Sequence, residues 1–286
     1  MNRQTVDLRW DPVRSIHFTV SHFVDRFYLR QSFNFGNITI GRQRIAWGTG
    51  RVWNPTDLFN PINPASFDKI EKDGADALSV KFYFGSFTDL ALVYNLQSSF
   101  GQNNVGFRFR TNVGAYDLST VGGYFDKRII VGGDFAGNFF DAGIRGEGIV
   151  SARRENLESN FVKFIVGLDH QFTSRLYALI EYQFNGEGTT DRNAYDLSRL
   201  EAGEILNLGR NYLFIQASYL FHPLLTVASS VNANLNDGSG FIGGLASFSA
   251  AENFSVHLGG QVSYGNRLDE YWYYPDAAYL KGDVYF

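Results

Sequence analysis

Apolar and polar residues alternate along most of this 286-residue chain. A period of two belongs to a strand with one face toward an apolar medium and the other toward a polar one. Leu78, Val80, Phe82 and Phe84 alternate with Ser79, Lys81 and Tyr83. Val105, Phe107 and Phe109 oppose Arg108, Arg110 and Asn112, and Val162, Phe164, Val166 and Leu168 oppose Lys163 and Asp169. The same grammar recurs at Val6–Trp10, Ile16–Val20, Leu176–Phe184, Leu213–Phe221, Val256–Tyr264 and Ala278–Phe286. One such stretch carries little weight, but a succession of roughly 17 predicts an all-β chain.

The connections carry a second regularity. Short turns at Asn34–Asn37, Gly85–Thr88, Gly114–Asp117, Phe172–Arg175, Phe221–Pro223 and Ala250–Asn253 interleave with longer links at Gly48–Ala75, Gln97–Asn103, Ser151–Asn160, Gly188–Arg210 and Gly265–Asp276. Loops sorted by parity are expected of an up-and-down barrel crossing a membrane, with short turns on one side and long loops on the other. A soluble sandwich has no reason to sort its loops this way. The expectation is therefore a single transmembrane antiparallel β-barrel, spanning residues 1–286, of about 16–18 strands. It has one long inward-folding loop and one short loop helix.

Composition agrees. Phe (27) and Tyr (16) far outnumber Met (1), which favours strands over helix bundles. The mean hydropathy of −0.18 hides a barrel, because half of its positions face a polar interior. No apolar run reaches the roughly 18 residues that a membrane helix needs. The absence of Cys excludes disulfides and thiol chemistry. Basic residues are scattered, so no stripe suits nucleic acid, and no spacing of His, Cys or Asp is specific for a metal. No cofactor is expected. Met1 runs straight into a strand pattern, so an exported barrel would have lost its export signal; strand parity predicts a missing N-terminal strand, with a miscounted hairpin around Ser21–Arg26 as the alternative.

The final stretch, Ala277–Phe286, places Leu280, Gly282, Val284 and Phe286 on one face. It resembles the C-terminal assembly signal of Gram-negative outer-membrane β-barrels. The segment Ile40–Pro61 resembles a G-R-Q-x-x-x-W-G strand followed by N-P-x-D-x-x-N-P, found in poorly characterised porin-like outer-membrane families. Those families are longer than this chain, in keeping with a missing N-terminal part. The resemblance implies a bacterial outer-membrane protein whose partners are outer-membrane lipid, the barrel assembly machinery and small hydrophilic solutes. It leaves homo-oligomerisation open.

Candidate pore residues follow from strand phase. Lys81, Arg108, Arg110, Arg145 and Lys163 share the inner face with Glu147, Asp169 and Glu181; Arg42 and Arg44 join them if a bulge sits near Gly41. Opposing rows of charge would bias which ions pass, whereas paired charges would merely brace the wall. The loop Gly48–Ala75, with three Asn-Pro steps, is expected to fold inward and narrow the lumen through Arg51, Asp57, Asp68, Lys69 and Glu71. A rigid surface loop is the competing reading. In the loop Thr189–Arg210, Leu197, Leu200, Ile205 and Leu206 are near helical spacing with Asp191 as cap.

Clustered glycines, such as Gly122-Gly123 and Gly132-Gly133, are read as wall curvature. Trp10, Trp47, Tyr271, Trp272, Tyr273 and Phe221 are read as interfacial girdles. Tyr212 and Phe214 have the inner phase, which would also suit a sugar-stacking track. Ser255 and His257 share a face, a weak signal for catalysis. We expect no enzyme but passive diffusion of small hydrophilic solutes. A substrate-specific channel gated by Thr189–Arg210 and a non-conducting barrel serving as export conduit or surface-interaction protein are the alternatives.

Overall fold

The computed structural model describes residues 3–15, 18–59, 74–97, 99–153, 157–201 and 204–285. Seventeen strands are present among them, all antiparallel. β1 (Arg9–Arg14) and β2 (Thr19–Phe23) form a separate hairpin. The alternation at Val6–Trp10 and around Phe18–Val20, expected to form wall strands, thus belongs to a hairpin outside the main sheet.

The other fifteen strands form one sheet in strict chain order. They are β3 (Phe27–Phe33), β4 (Gly36–Gln43), β5 (Ala75–Tyr83), β6 (Asp89–Asn95) and β7 (Asn104–Val113), then β8 (Tyr116–Phe125), β9 (Arg128–Phe139), β10 (Ala142–Ala152), β11 (Phe161–Gln171) and β12 (Leu176–Asn185). β13 (Asn211–His222), β14 (Leu225–Asn234), β15 (Gly240–Ala251), β16 (Phe254–Tyr264) and β17 (Ala277–Val284) complete it. β3 and β17 are the terminal strands, and no ladder joins them among the described residues.

In such a meander, consecutive connections lie at opposite ends. One end carries only short turns, the links after β3, β5, β7, β9, β11, β13 and β15. The other carries the link from β4 to β5, the segment after β12 and the segment after β16, with one tight exception. Between β8 and β9 the chain turns on Asp126 (φ 52°) and Lys127 (φ 63°), two left-handed residues matching the twist of a two-residue hairpin.

The burial pattern inverts that of a soluble protein. On β11, Val162, Phe164, Val166 and Leu168 are 43, 37, 47 and 45% exposed, while Ile165 between them is 1% exposed. The apolar phase points away from the molecule and the polar phase points in. Inside, Ile45, Trp47 and Phe59 pack with Ala77, Val93, Val121, Ile130 and Ile149, and Trp53 packs with Ile165, Leu179, Phe214 and Phe241. One segment, residues 45–59, thereby touches walls from β5 to β15. It can do so only because the sheet curls around it.

On β17, Leu280, Gly282 and Val284 lie on the exposed face, opposite Tyr279, Lys281 and Asp283. Phe286 lies outside the described residues. The short loop helix is present as α1 (Leu197–Glu201).

Candidate functional site

Beyond β4 the chain enters the lumen, and two wall carboxylates hold it there. Gly48, at φ +91°, turns the chain where a side chain would collide with the Glu147 carboxylate and Thr56. The Thr49 amide donates to Glu147 Oε2 (2.9 Å), and Thr56 Oγ1 donates to the same oxygen (2.7 Å). Three consecutive amides converge on Glu181: Arg51 on Oε2 (2.8 Å), Val52 and Trp53 on Oε1 (3.1 and 2.8 Å). Successive N–H groups form an anion nest of this kind when the backbone bends around a charge. No basic side chain lies within ion-pair distance of Glu147 or Glu181 among the described residues, so the loop amides take the place of a cation.

Asn54 and Pro55 then begin a turn. Asn54 Nδ2 donates to the Gly50 carbonyl (2.8 Å), and the Asp57 amide donates to the Asn54 carbonyl (3.0 Å). Apolar packing seals both sides. Trp53 stands 6.1 Å from Tyr212 and 6.4 Å from Phe214, ring centre to ring centre. Phe59 lies edge-on to both Trp47 and Phe125, 5.0 Å from each. A Cβ on Gly106 would come within 2.7 Å of the Phe125 ring and 3.2 Å of Trp47. This glycine clears space for the rings that pack against the folded-in loop.

Among the sequence-derived candidates, Lys81 and Arg110 flank Asp89 (3.3 and 2.8 Å). Arg108 binds Ser119 (2.9 Å) and stands 3.8 Å from Asp134. Arg145 pairs with Asp169 and donates to the Thr49 carbonyl (3.1 Å). Lys163 pairs with Glu187 (2.7 Å). Opposite charges therefore sit side by side on the inner wall, in the arrangement that braces it. Asp57 is buried, and the Arg51 side chain is exposed while its amide is held. Asp68, Lys69 and Glu71 lie outside the described residues.

Arg42 and Arg44 are placed differently from the expectation. Pairing on both sides of β4 runs unbroken through Gly41, without the bulge that would turn them inward. Arg42 keeps the phase of Ile38 and Ile40, pairs with Asp76 (2.8 Å) and donates to the Val24 (3.1 Å) and Val6 carbonyls. The N-terminal segment covers this part of the outer face, which is why a guanidinium can sit there. Arg44 is exposed.

Trp47 and Tyr271 are buried inside rather than in a girdle, whereas Trp10, Trp272, Tyr273 and Phe221 are exposed. The partner of His257 is Ser247 (2.9 Å from Nδ1), not Ser255, and its Nε2 meets Asp283 (3.1 Å), which also binds Lys281 (2.8 Å). This chain of contacts stitches β15, β16 and β17 together.

Two further loops fold over the long-loop end. Asp191 caps a 3-10 turn (Arg192–Ala194) through the Asn193 amide (2.9 Å), and Asp196 receives the Arg199 amide of α1 (3.2 Å). Arg199 binds Glu187 (2.6 Å) and Glu204 (3.2 Å). Burial pushes the Glu187 carboxyl up, but Lys163 and Arg199 outweigh it and hold it below its ordinary range. Glu270, in the segment between β16 and β17, accepts from the Leu208 amide (3.0 Å), Tyr212 Oη (2.5 Å) and Asn234 Nδ2 (2.8 Å). Burial raises this carboxyl to about 7 against those donors, with Asp237 adding repulsion. Sequence reasoning missed Glu270, because nothing in a loop without alternation signals which way it points.

Between the folded-in loop, the Asp126–Lys127 turn and the loop after β12 lies a cavity of about 590 Å³. Its lining includes Trp53, Leu58, Arg128, Ile149, Arg153, Gln183 and Asn185. Arg3 crosses to Asp126 (2.7 Å) at its rim.

No family model matches the sequence, and no curated protein matches it. Solved structures do match its fold. OccK10 (OpdN) of Pseudomonas aeruginosa superposes with a TM-score of 0.61 at 8% identity, over 90% of this chain and 82% of that one. OccD3 (OpdP) of the same bacterium gives 0.56 at 10%, over 88% and 74%. Wzi of Escherichia coli, an outer-membrane carbohydrate-binding β-barrel involved in group 1 capsule assembly, gives 0.57 at 9%, over 89% and 68%. At such identities the likeness is one of fold, and the chain has the up-and-down barrel fold of porin-like outer-membrane proteins.

Proposed function

We propose that the chain is an integral outer-membrane channel for passive diffusion of small hydrophilic solutes, with its aperture set by the loop after β4 and by lumen charges. The observation that carries this reading is the anchoring of that loop inside the barrel, on Glu147 and Glu181. A cavity lined by both charged and apolar side chains stands above it at the long-loop end, and the exposed apolar phase of the wall suits acyl chains. Pairing in strict chain order satisfies backbone groups between neighbouring strands, as hydrocarbon demands of a spanning sheet.

A second reading has its own observation. Two apolar clusters occupy the lumen, which also suits a barrel that does not conduct and serves as an export conduit or binds a partner at its surface. Wzi, with its role in capsule assembly, has a comparable fold. Planar-bilayer recording separates the two. On the channel reading the protein conducts, and excising Asn54–Pro64 raises the single-channel current. A folded barrel that stays silent with and without the segment would leave the second reading standing.

A further inference from the structure

Among the described residues, Trp53 Nε1, Arg153 Nε, Gln183 Oε1 and Asn185 Oδ1, all buried in the cavity lining, have no hydrogen-bond partner. Trp53, Gln183 and Asn185 are each more than nine-tenths buried. Gln183 and Asn185 are two apart on β12, so their carbonyl oxygens rise from one face of one strand. Buried polar groups are ordinarily satisfied, and several orphans gathered in one cavity mark a place built for something polar.

The charges there are unevenly matched. Six basic side chains line it against four carboxylates, Asp57 among them; Asp126 answers Arg3, while Glu187 and Glu204 answer Lys163 and Arg199. Arg128 stacks on the Phe161 ring (4.7 Å to its centre) and donates to neutral oxygens, among them Ser151 Oγ (2.6 Å) and Ser159 Oγ (3.3 Å). Arg153 reaches the Asp126 carbonyl (3.3 Å). Among the described residues, no carboxylate lies within ion-pair distance of either.

Together these features select a ligand. A bare anion would answer the two guanidinium groups but would face the Gln183 and Asn185 carbonyl oxygens with like charge. A neutral polyol would answer Trp53, Gln183 and Asn185, since a hydroxyl both donates and accepts, but would give Arg128 and Arg153 no acid in direct contact. Leu58, Ile130 and Ile149 offer the C–H face of such a molecule an apolar wall. The volume lies within the usual range for small-molecule sites.

Resting on the channel reading for its place in transport, we infer that this vestibule is a binding station for a polyhydroxylated solute carrying one acidic group, a carboxylate or a phosphate. Arg128 and Arg153 hold the acid. Gln183 and Asn185 accept from its hydroxyls, and the Trp53 indole donates to one.

Isothermal titration calorimetry on the detergent-folded protein tests this with glucose, glucuronate, glucose 6-phosphate and acetate. At least one of the two sugar acids should bind about tenfold or more tighter than both glucose and acetate, as one charge-assisted bond requires. The tighter one identifies the acid. The double substitution R128Q/R153Q should reduce that preference to about threefold or less, and Gln183→Leu should weaken the acids and glucose alike. Arg175→Gln, at the short-turn end, should change nothing. Failure of both acids to bind, or binding no tighter than glucose or than acetate, overturns the assignment; the same holds if R128Q/R153Q keeps the full preference while folded by circular dichroism. Bilayer conductance, run in parallel, keeps the two proposals apart. Conductance without binding removes only the station, and binding without conductance removes only the channel.

Discussion

Glu181 is where the placement of the lumen loop is most open to attack. Its carboxylate receives the amides of Arg51, Val52 and Trp53. Glu181→Ala leaves three N–H groups in a buried site without an acceptor. Each orphan costs about 1–3 kcal/mol, hence about 3–9 kcal/mol if the loop stays in place. What resists release is chiefly Trp53 against Tyr212 and Phe214, and loss of a buried large aromatic costs about 3–5 kcal/mol. The two sums are comparable, so the alanine variant lets the loop leave the wall. Glu181→Gln is gentler. An amide oxygen at the Oε1 position still accepts from Val52 and Trp53, while its NH2 faces the Arg51 N–H, leaving one orphan and no charge.

The wall itself survives either change, because its strands are held by their own ladders. Trypsin reads the loop without reference to conductance, since the Arg51 side chain is exposed while its backbone is pinned. Cleavage follows the population of the open loop when reclosing is fast. Relative to the native protein, Glu181→Ala should be cut about a hundredfold faster or more, and Glu181→Gln about tenfold. An alanine variant that folds and is cut at Arg51 within about twofold of the native rate would show that the carboxylate does not hold the loop.

Other outcomes follow from single contacts. Glu270, raised to about 7 from 4.5, binds more protons folded than unfolded between those values, so its contribution is largest below about pH 4.5, declines as pH rises through 7 and is level above. The span is about 3 kcal/mol, and hydrogen exchange at the Leu208 amide, corrected for intrinsic rate, should be more protected at pH 5 than at pH 8, with Glu270→Gln abolishing the difference. Gly48→Ala places a methyl against Glu147 and Thr56 at a left-handed φ, at a cost of about 1–3 kcal/mol, and should also speed cleavage at Arg51; an unchanged rate would mean the turn relaxes freely. Arg42→Ala breaks a buried ion pair and should release the N-terminal segment by about 3 kcal/mol, read as faster cleavage after Arg9. Single-channel current should stay unchanged, and a changed current would restore Arg42 to the pore.

Strand phase was legible because an apolar exterior and a polar interior impose opposite demands on adjacent residues. Val162, Phe164, Val166 and Leu168 all face outward as that rule requires, and the inward Ile165 departs from it because the folded-in Trp53 covers it. The parity of the loops was legible for a similarly local reason, since length can be counted. Arg42 was misplaced because a charge in the outward phase reads as an error to be mended with a bulge. Its actual cover, the Val6 and Val24 carbonyls, comes from residues far away in sequence. Trp47 and Tyr271 were misplaced because an aromatic at a strand end suits an interfacial girdle and an inward fold equally well. Glu147 and Glu181 were recognised as lumen charges, but not as anchors. Their partners are backbone amides, which every residue carries and no sequence distinguishes.

That last point also explains the charge of the vestibule. Three carboxylates that could have balanced cations, Glu147, Glu181 and Glu270, instead take up N–H groups from folded-in segments. A helix or a soluble loop would present those amides to water or to its own backbone; a segment laid into a barrel has neither, and a carboxylate of the wall or of a neighbouring loop is the acceptor within reach. Each acid so occupied is withdrawn from the ion-pair network, and the imbalance surfaces where Arg128 and Arg153 meet serine and carbonyl oxygens and, among the described residues, no carboxylate within ion-pair distance. The same contacts that hold the loops inside therefore leave positive charge at the mouth.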